Sequence, residues 1–419
     1  MSWRSYLCDT MTGLVGEPID IPSFAWSVTV NSCTLNTTRD KAVGEDDATG
    51  LTLPWSCVPG ETGLAKAAAL ATLRRSLLLR WASEDGTEAP VLVGAIGNRR
   101  DGWLDTRFDL LSTLDVLGHR VLCREGTFGA DVSTATTGSG ATVTTAVTHG
   151  GYDYRNLSQR AIACAVIQEC TSGKPGGALP IDLPYLGEGC VHLAADGTPN
   201  QNYWRSYPGH NVANDSCKAI LEKLSQTSYG PDMQFRPYMA DDTHYRLALV
   251  AGSDSEPYLG QRGLVPTLSC FPGGGSLQDV TVAHDFPCER VYQTGSGQDE
   301  AMNCHLSEDL SLVRQADPWP LVEMVRQDTN LSGSSIGARA DATLAAKSRP
   351  IMQLTGYVDA DDPRAFAPGV VWPGELVDVT LESFPSVPDG TYRMRLMEMG
   401  GNQSSRLRLT FDLMEDPIA

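Results

Sequence analysis

The chain has 419 residues, 41% of them apolar and 20% charged, which is enough for two to four globular domains and excludes a disordered protein. Its formal net charge of −19 excludes a nucleic-acid-binding face built on a lysine and arginine footprint. The 41 glycines and 25 prolines favour many short strands and turns over a helical protein.

The acidic charge leaves two interpretations open. It can keep the protein soluble, or it can form a wall that repels phosphates, so that a DNA duplex passes without sticking. No run of about 18 apolar residues indicates a transmembrane helix, and the N-terminus lacks the pattern of a signal peptide. The eleven cysteines include no C-x-x-C pair, which predicts free thiols in a protein made in a reducing cytoplasm.

The first 125 residues predict strands with two short helices. Apolar residues alternate from Phe24 to Val30, which is typical of a strand with one buried face. A helix is expected over 62–74, beginning at Thr62, and three strands follow over 76–112. The turns between these strands are expected at Asp85-Gly86 and Asp101-Gly102. A second helix follows Ser112, with Asp115 at its third position and Gly118 at its end.

The middle of the chain changes in character. Residues 126–150 are rich in threonine, glycine and serine, which predicts a linker or long loop, with threonine-rich β-structure as the alternative. Two helices are expected, one over 157–170 capped by Ser158 and one after residue 214 capped by Asp215 or Ser216. Gly230 is expected to end the second helix.

An acidic turn follows at Asp241, Asp242 and His244. The segments on both sides, 233–239 and 244–250, alternate as strands do. Aspartate and threonine suit a hairpin turn because their side chains bond nearby backbone amides. A metal site here would need ligands from elsewhere in the chain, so the hairpin is the preferred interpretation.

The last third predicts more strands. They are expected within 276–310, followed by a helix over 333–347. The final hairpin alternates apolar residues with arginines, which predicts one core face and one cationic face, with its turn at Gly400-Gly401-Asn402. The cationic residues of this hairpin are Arg393, Arg395, Arg406 and Arg408.

One serine matches a nucleophile motif. Residues 333–337, GSSIG, fit G-x-S-x-G and would make Ser335 a nucleophile. That motif requires a buried strand before the serine, and the preceding RQDTNLS is polar. Ser334 and Ser335 are therefore interpreted as caps of the helix that follows.

Histidines and cysteines offer one candidate zinc set and one weaker pair. His284, Cys288, Cys304 and His305 could supply four ligands, but neither pair has the usual C-x₂₋₄-C spacing. Adjacent Cys304 and His305 would also point to opposite faces of a strand. The alternative is buried thiols and surface imidazoles. The weaker pair is Cys190 with His192, on one strand face, whereas Cys164 and Cys170 do not share a helix face.

Two acidic clusters are best interpreted as solvated loops. DADDP, over 359–363, lacks the glycine and downstream glutamate of an EF-hand. No phosphate-binding loop or dinucleotide fingerprint is present. No catalytic residue, metal ligand or cofactor is therefore predicted. The carboxylates concerned are Glu45, Asp46 and Asp47, and Asp359, Asp361 and Asp362.

The order of several segments resembles the minor tail proteins, or tail hubs, of long-tailed bacteriophages that infect actinobacteria. The opening WRSYLCDTMTG, the segment PVLVGAIGNRRDGWLDTRFDLLS and the ending PGELVDVTLES carry the likeness. The best match is AILEKLSQTSYGPDMQFRPYMADDTHYRLAL, a helix followed by GPDMQFRP and an acidic turn. The likeness spans nearly the whole chain, with gaps at 126–150 and 171–205.

This resemblance implies a non-enzymatic structural protein of the virion, assembled in the host cytoplasm and placed at the tail tip. Such hubs are trimers in which each chain carries two tube-type β domains, so that three chains form a pseudo-sixfold ring. The ring docks under the distal tail protein, carries the central tip or fibre, contacts the tape-measure protein and surrounds the passing DNA near the host envelope.

The resemblance and the patterns together predict a β-rich α+β multidomain fold with two tube-type barrel or sandwich domains. The expected divisions are an N-terminal tube-type domain over 1–125, a linker and helical insertion over 126–204, and a helix with a hairpin over 205–255. The second β domain begins over 256–345, with a helical excursion, and ends over 346–419.

Two other functions remain as alternatives. A receptor- or glycan-binding tail-tip protein would present an exposed groove lined by aromatic side chains. A zinc-dependent hydrolase would bind a stoichiometric metal ion.

Overall fold

The computed structural model describes residues 2–37, 50–84, 86–123, 133–136, 139–140, 142–145, 150–190, 204–209, 212, 216–227, 230–328, 333–349 and 351–413. These ranges contain several sheets and few helices, so the chain is a β-rich α+β protein, as the sequence predicted. The described strands form open sheets and close no barrel. Residues Glu45, Asp46, Asp47, Asp85, His192 and Asp215 lie outside the described residues.

The strands of the first half are β1 Ser2–Asp9, β2 Val15–Pro18, β3 Ala25–Thr29, β4 Cys33–Asn36, β5 Leu51–Pro54, β6 Arg75–Ala82, β7 Glu88–Asp101, β8 Asp105–Leu111, β9 Ser133–Thr136, β10 Thr142–Thr145, β11 Tyr152–Arg155, β12 Ile181–Asp182 and β13 Trp204–Tyr207. Those of the second half are β14 Met233–Met239, β15 Tyr245–Ala251, β16 Thr267–Phe271, β17 Gly274–Gly275, β18 Gln278–Asp285, β19 Arg290–Thr294, β20 Cys304–Glu308, β21 Glu323–Gln327, β22 Ile351–Asp359, β23 Leu376–Leu381, β24 Gly390–Asn402 and β25 Arg406–Leu413.

The helices are α1 Gly63–Ala69, α2 Thr113–Gly118, α3 Gln159–Cys170, α4 Cys217–Ser225 and α5 Ser334–Lys347, with a 3-10 turn at Asp299–Ala301. Local side-chain capping explains where four of them begin, because each cap oxygen accepts a bond from a backbone N–H of the first turn. The predicted caps Thr62, Ser112, Ser158 and Ser216 are all confirmed.

Three helix predictions were wrong in part. Helix α1 ends at Ala69, five residues before the predicted end at residue 74. The N-cap of helix α5 is Gly333, which has no side chain to cap it. Ser334 and Ser335 are the first two residues of the helix, so neither is the N-cap that was expected. Helix α4 ends at Ser225, five residues before the predicted stop at Gly230. Gly230 instead packs in the following turn, where a Cβ would lie 2.2 Å from the Leu224 carbonyl oxygen.

Two large sheets dominate the fold. One has six strands in the order β2-β1-β6-β7-β8-β5 and is antiparallel throughout. Strand β6 is buried along almost its whole length, with Leu77 and Leu79 in one core and Leu78 in another. A strand covered on both faces has a continuous apolar sequence rather than an alternating one, which explains the run SLLLRWA.

The other large sheet has nine strands, with β17-β16-β23-β24-β25-β22-β18 along its main path. The expected final hairpin, β24 and β25, lies at its centre. Strand β3, from the start of the chain, pairs antiparallel with the last part of β24, from Glu398↔Thr29 to Asn402↔Ala25. The N-terminal and C-terminal ends of the chain therefore build one sheet.

Gly400 and Gly401 are strand residues, which corrects the predicted turn. The turn lies instead at residues 403–405. A Cβ on Gly400 would lie 2.7 Å from the Trp26 carbonyl oxygen, and one on Gly401 would lie 2.9 Å from that of Arg406. Glycine is needed here because neighbouring backbones approach too closely for a side chain.

The main hydrophobic core lies between the two large sheets and includes Leu79, Trp81 and Phe108 from one and Leu354 and Phe411 from the other. Trp3 packs edge-on against Trp26 and Trp81, at ring-centroid distances of 5.0 and 4.8 Å. Because Trp26 belongs to β3 and Trp81 to β6, these aromatic contacts join the two sheets.

A second core covers the opposite face of the six-stranded sheet. Helices α3 and α4 pack there together with the three-stranded sheet β12-β15-β14. The hairpin predicted around Asp241 is confirmed as β14 and β15. Pairs β9–β10 and β11–β13 form separate two-stranded sheets, so the threonine-rich stretch contains some β-structure.

A small third unit consists of the sheet β20-β19-β21 and helix α5. Among the described residues, its core is formed by Cys288, Val291 and Ala340, with Met324 and Leu344 packed beside them. The predicted domain boundaries at 125, 204, 255 and 345 stay predictions.

One buried ion pair links the β14–β15 hairpin to the nine-stranded sheet. The Arg236 Nη1 atom donates to Glu375 Oε1 at 2.6 Å, and these side chains are 3% and 2% exposed. Arg262 Nε donates to the same oxygen at 2.9 Å. Burial lowers the pKa of Arg236, and the charge of Glu375 opposes that effect.

We predict that Gly400→Val destabilises the fold by about 2–4 kcal/mol, because the new side chain clashes with the Trp26 carbonyl and forces β3 away from β24. Urea denaturation of purified protein measures the change. The control is Gly260→Val, since a Cβ at Gly260 has nothing within 4 Å. Equal losses in both variants would contradict the explanation.

We also predict that Glu375→Gln costs about 3–5 kcal/mol, because it leaves the buried Arg236 guanidinium without its counter-charge. The matched control is Glu308→Gln, which removes a 3.0 Å pair with Arg290 whose side chains are 29% and 44% exposed. Because that pair is exposed to solvent, its loss should have a much smaller effect on stability. If both variants unfold at the same urea midpoint, Glu375 has no special role.

Candidate interaction surfaces

The candidate zinc ligands are not brought together. His284 lies in β18 of the nine-stranded sheet, whereas Cys304 and His305 lie in β20 of the small third unit. The Cys288 thiol is buried and donates to the Arg290 carbonyl at 3.2 Å. Within the ranges described, no three His, Cys, Asp or Glu side chains are grouped as metal ligands would be.

The acidic hairpin turn is held by its own backbone. Asp241 Oδ1 accepts bonds from the N–H groups of Thr243 and His244 at 2.7 and 2.8 Å. Hydrogen bonds from Thr243, above all, lower the pKa of Asp241. The Asp241 side chain is 57% exposed and that of His244 is 39% exposed, as expected for a hairpin tip in water.

The other polar candidates also have local roles. Asp359 accepts from the Asp361 N–H at 3.0 Å, and Asp362 pairs with Arg364 at 2.7 Å in the same exposed turn. Ser335 lies in the first turn of α5. The aspartate contacts fit the loop interpretation, whereas Ser335 lies inside the helix and is not its N-cap.

Large apolar side chains are exposed at the tip of the β7–β8 hairpin. Trp103 is 100% exposed and Leu104 is 83% exposed, and Leu64 on the neighbouring α1 is also 83% exposed. We call these three residues the knob. An isolated apolar residue on a surface needs no explanation, but a fully exposed tryptophan beside two exposed leucines is typical of a protein interface.

The backbone of the knob is held in place. The Trp55 backbone N–H donates to the Leu104 carbonyl at 3.0 Å, and its indole N–H donates to the Gly102 carbonyl at 2.9 Å. Lys66 donates to the Trp55 carbonyl, which ties the tip to α1. Trp103 comes directly after Asp101-Gly102 in the hairpin turn, where its own hairpin cannot bury it, and this position is the sequence signal for its exposure.

An apolar depression of about 110 Å³ opens beside α2 and α4. Its apolar lining consists of Val30, Leu114, Leu221, Met233 and Phe235. Leu221 is buried, whereas the other four are half-buried, so the depression is open to a partner. We call these five residues the socket.

Hydrogen bonds to one carboxylate join helices α2 and α4 beside the socket. Lys218 of α4 donates to Asp115 of α2 at 2.7 Å, and Ser112 donates to the same carboxylate at 2.7 Å. Burial by itself would raise the pKa of Asp115, but the hydrogen bonds from Lys218 and Ser112 outweigh it and lower that pKa. The ionised carboxylate therefore stabilises the contact between the two helices.

A groove of about 710 Å³ runs over the outer face of the nine-stranded sheet, along β3, β4, β24 and β25. Its aromatic residues are not open to a ligand. The Arg406 guanidinium lies 4.2 Å from the ring centroid of Tyr357, and Trp26 is only 3% exposed. The groove therefore lacks the open aromatic lining expected of a glycan site.

The predicted cationic face of the last hairpin is largely neutralised. Three of its arginines pair with aspartates brought from other segments of the chain. The pairs are Arg393–Asp378 at 3.0 Å, Arg395–Asp232 at 3.0 Å, and Arg406–Asp279. Sequence alternation identified the face, but only tertiary contacts could supply its counter-charges.

None of the helices in the described ranges combines the length and apolarity needed to span a membrane.

Neither a protein-family model nor a curated protein sequence matches the chain. Among solved structures, it is similar to the 43 kDa tail protein of prophage MuSo2 from Shewanella oneidensis, with a TM-score of 0.50, 9% identity and 98% of both chains covered. It is also similar to the tail protein from Neisseria meningitidis MC58, with a TM-score of 0.48, 12% identity and 99% and 97% of the two chains covered. The first likeness shows a shared fold over nearly the whole of both chains.

We predict that Asp115→Asn destabilises the protein at pH 7, and that this loss is smaller at pH 3, below the ordinary pKa of 3.8. The folded-state pKa of Asp115 is lowered below the ordinary aspartate value of 3.8, so the stabilising contribution of its charge is present above that value and is lost as the pH falls through the folded pKa. Thermal unfolding at both pH values measures the difference, with Asp242→Asn as an exposed control. A loss that persists unchanged at pH 3 would rule out the charged contact.

Proposed function

We propose that this chain is a structural protein of a long-tailed bacteriophage tail, and that it forms a trimeric hub at the tail tip. The observation that carries the proposal is the fold shared with the MuSo2 tail protein over 98% of both chains. The ordered sequence resemblance to tail hubs of phages that infect actinobacteria supports the same role.

The two large sheets offer a physical basis for a ring. Each sheet is open and therefore has edges that another chain can cover. In the proposed hub, the six-stranded and nine-stranded sheets provide two tube-type units per chain. Three chains then present six units in a ring, which fits the hexameric symmetry of the distal tail protein above it.

The proposed ring has defined neighbours. It joins the distal tail protein to the central tip or fibre, contacts the tape-measure protein and surrounds the channel through which double-stranded DNA leaves. Two observations support passage without binding, namely the net charge of −19 and the arginine–aspartate pairs on the nine-stranded sheet. In this role the chain positions other proteins and carries out no catalysis.

The groove on the nine-stranded sheet does not favour the receptor-binding alternative. A sugar ring stacks on an open aromatic face, but Tyr357 is covered by Arg406. In the proposed tail tip, host recognition is therefore a function of the proteins that the hub carries.

We predict that the purified chain, alone or with its distal tail protein, forms three-fold rings with an axial hole. Negative-stain electron microscopy should show the rings, and light scattering should give about three times the 45.0 kDa chain mass for the hub component. A chain that stays monomeric in the presence of that partner, and that binds cell walls by itself, would overturn the hub in favour of a receptor-binding protein.

A further inference from the structure

A cleft with a net positive charge lies between the end of α4 and the small third unit. Its volume is about 500 Å³, and it is lined by residues 225–227 and by parts of α5, β19 and β21. Arg326, Arg339 and Lys347 supply its positive charge, and Asp328 is the single carboxylate among the described residues that line it. We call it the cationic cleft. On a chain whose net charge is −19, it is a place where an acidic ligand concentrates.

The chain itself does not neutralise these three cations. Within the part of the chain that the structure describes, none of them forms an ion pair, in contrast to three arginines of the last hairpin. Arg339 Nη1 donates instead to the Gln226 carbonyl oxygen at 3.3 Å, which joins α5 to the end of α4. Arg326 and Lys347 are exposed, so their charges are open to a ligand.

One face of α5 gives the cleft its shape. Arg339 and Lys347 lie on this face, and the residues between them there are Ala342, Thr343 and Ala346, whose small side chains leave room for a ligand. The two cations are eight residues apart, which is roughly 12 Å along a helix. A ligand that contacts both of them without bending them together carries acidic groups at about that separation.

The lining favours a peptide over a nucleic acid or a sugar. No aromatic side chain is among the described lining residues, so bases and sugar rings have nothing to stack on. The amide groups of Gln226 and Gln327 are exposed and can both donate to and accept from a peptide backbone. In an extended peptide, residues four apart point the same way and lie roughly 13 Å from each other, which matches the two cations of α5.

We propose that the cationic cleft binds an extended acidic segment of another protein. Carboxylates four residues apart in that segment contact Arg339 and Lys347, and Arg326 adds a third positive charge beside them. This docking site goes beyond the proposed hub function, because the cleft lies within a single chain and binds its ligand whether or not the chain forms a ring.

The first test is peptide binding to the purified full-length chain, measured by fluorescence anisotropy. The probe is a labelled glycine–serine peptide of nine residues with glutamates at its third and seventh positions. Lys347→Gln and Arg326→Gln should each weaken binding by roughly 5-fold. The control is Arg408→Gln, which removes another exposed arginine that has no ion pair in the described ranges. Thermal unfolding checks that each variant is folded.

The matched ligands decide the chemistry. The same peptide with glutamines in place of the glutamates should bind roughly 10-fold more weakly or not at all. Equal binding of the two peptides, or unchanged binding to Lys347→Gln, would overturn the proposal. A single-stranded DNA of similar length that binds more tightly than the glutamate peptide, and that loses affinity in the same variants, would make the cleft a nucleic-acid site instead.

The second test identifies the partner in tails that contain the chain. A carbodiimide joins a lysine to a carboxylate that it contacts, and mass spectrometry identifies the joined peptides. Lys347 should be joined to an aspartate or glutamate in an acidic segment of a different protein. No cross-link from Lys347, or cross-links only to carboxylates of the same chain, would contradict docking of a partner.

The outcomes separate this inference from the hub itself. If the chain forms three-fold rings but the cleft binds no acidic peptide and Lys347 reaches no partner, the cleft proposal is wrong and the hub proposal stands. If the cleft binds the glutamate peptide and Lys347 reaches a partner, but no ring forms even with the distal tail protein, the hub is overturned and the docking site stands.

Discussion

The fold depends on the pairing of β3 with the end of β24. This pairing brings residues 25–29 beside residues 398–402 and makes one sheet from the two ends of the chain. It is possible because Gly400 and Gly401 have no side chains to keep the neighbouring strands apart. The tryptophans that join the two large sheets, Trp3, Trp26 and Trp81, are held together as a consequence.

A second long-range contact completes the same assembly. Arg236 and Glu375 are 139 residues apart and meet at 2.6 Å inside the protein. A buried pair of this kind adds little net free energy compared with an apolar pair, but breaking it is costly. The position of the β14–β15 hairpin against the nine-stranded sheet is therefore well defined, and so is the socket, which includes Met233 and Phe235.

These contacts fix where the surface features of the molecule lie relative to one another. The rigid core fixes the distance between the knob and the socket, because β7 and β8 belong to the six-stranded sheet. The outer face of the other sheet is polar and largely balanced in charge, as a surface that must not hold DNA would be. The two surfaces of the chain therefore differ, one with exposed apolar side chains and one with paired charges.

The sequence by itself determined the features that depend on near neighbours. Caps at Thr62, Ser112, Ser158 and Ser216 follow from bonds to amides three residues away, and the hairpin at Asp241 follows from alternation on either side of a turn. The β-rich class follows from the same alternation.

Only the tertiary structure decided the rest, because it depends on residues that are distant in sequence. The turn expected at Gly400 proved to be strand, since the requirement for glycine comes from Trp26, far away in the chain. The cationic face became neutral because Asp232, Asp279 and Asp378 reach it from other segments. Trp103 could be identified as fully exposed only from the tertiary structure, in which Trp26 and Trp81 are buried and Trp103 is not.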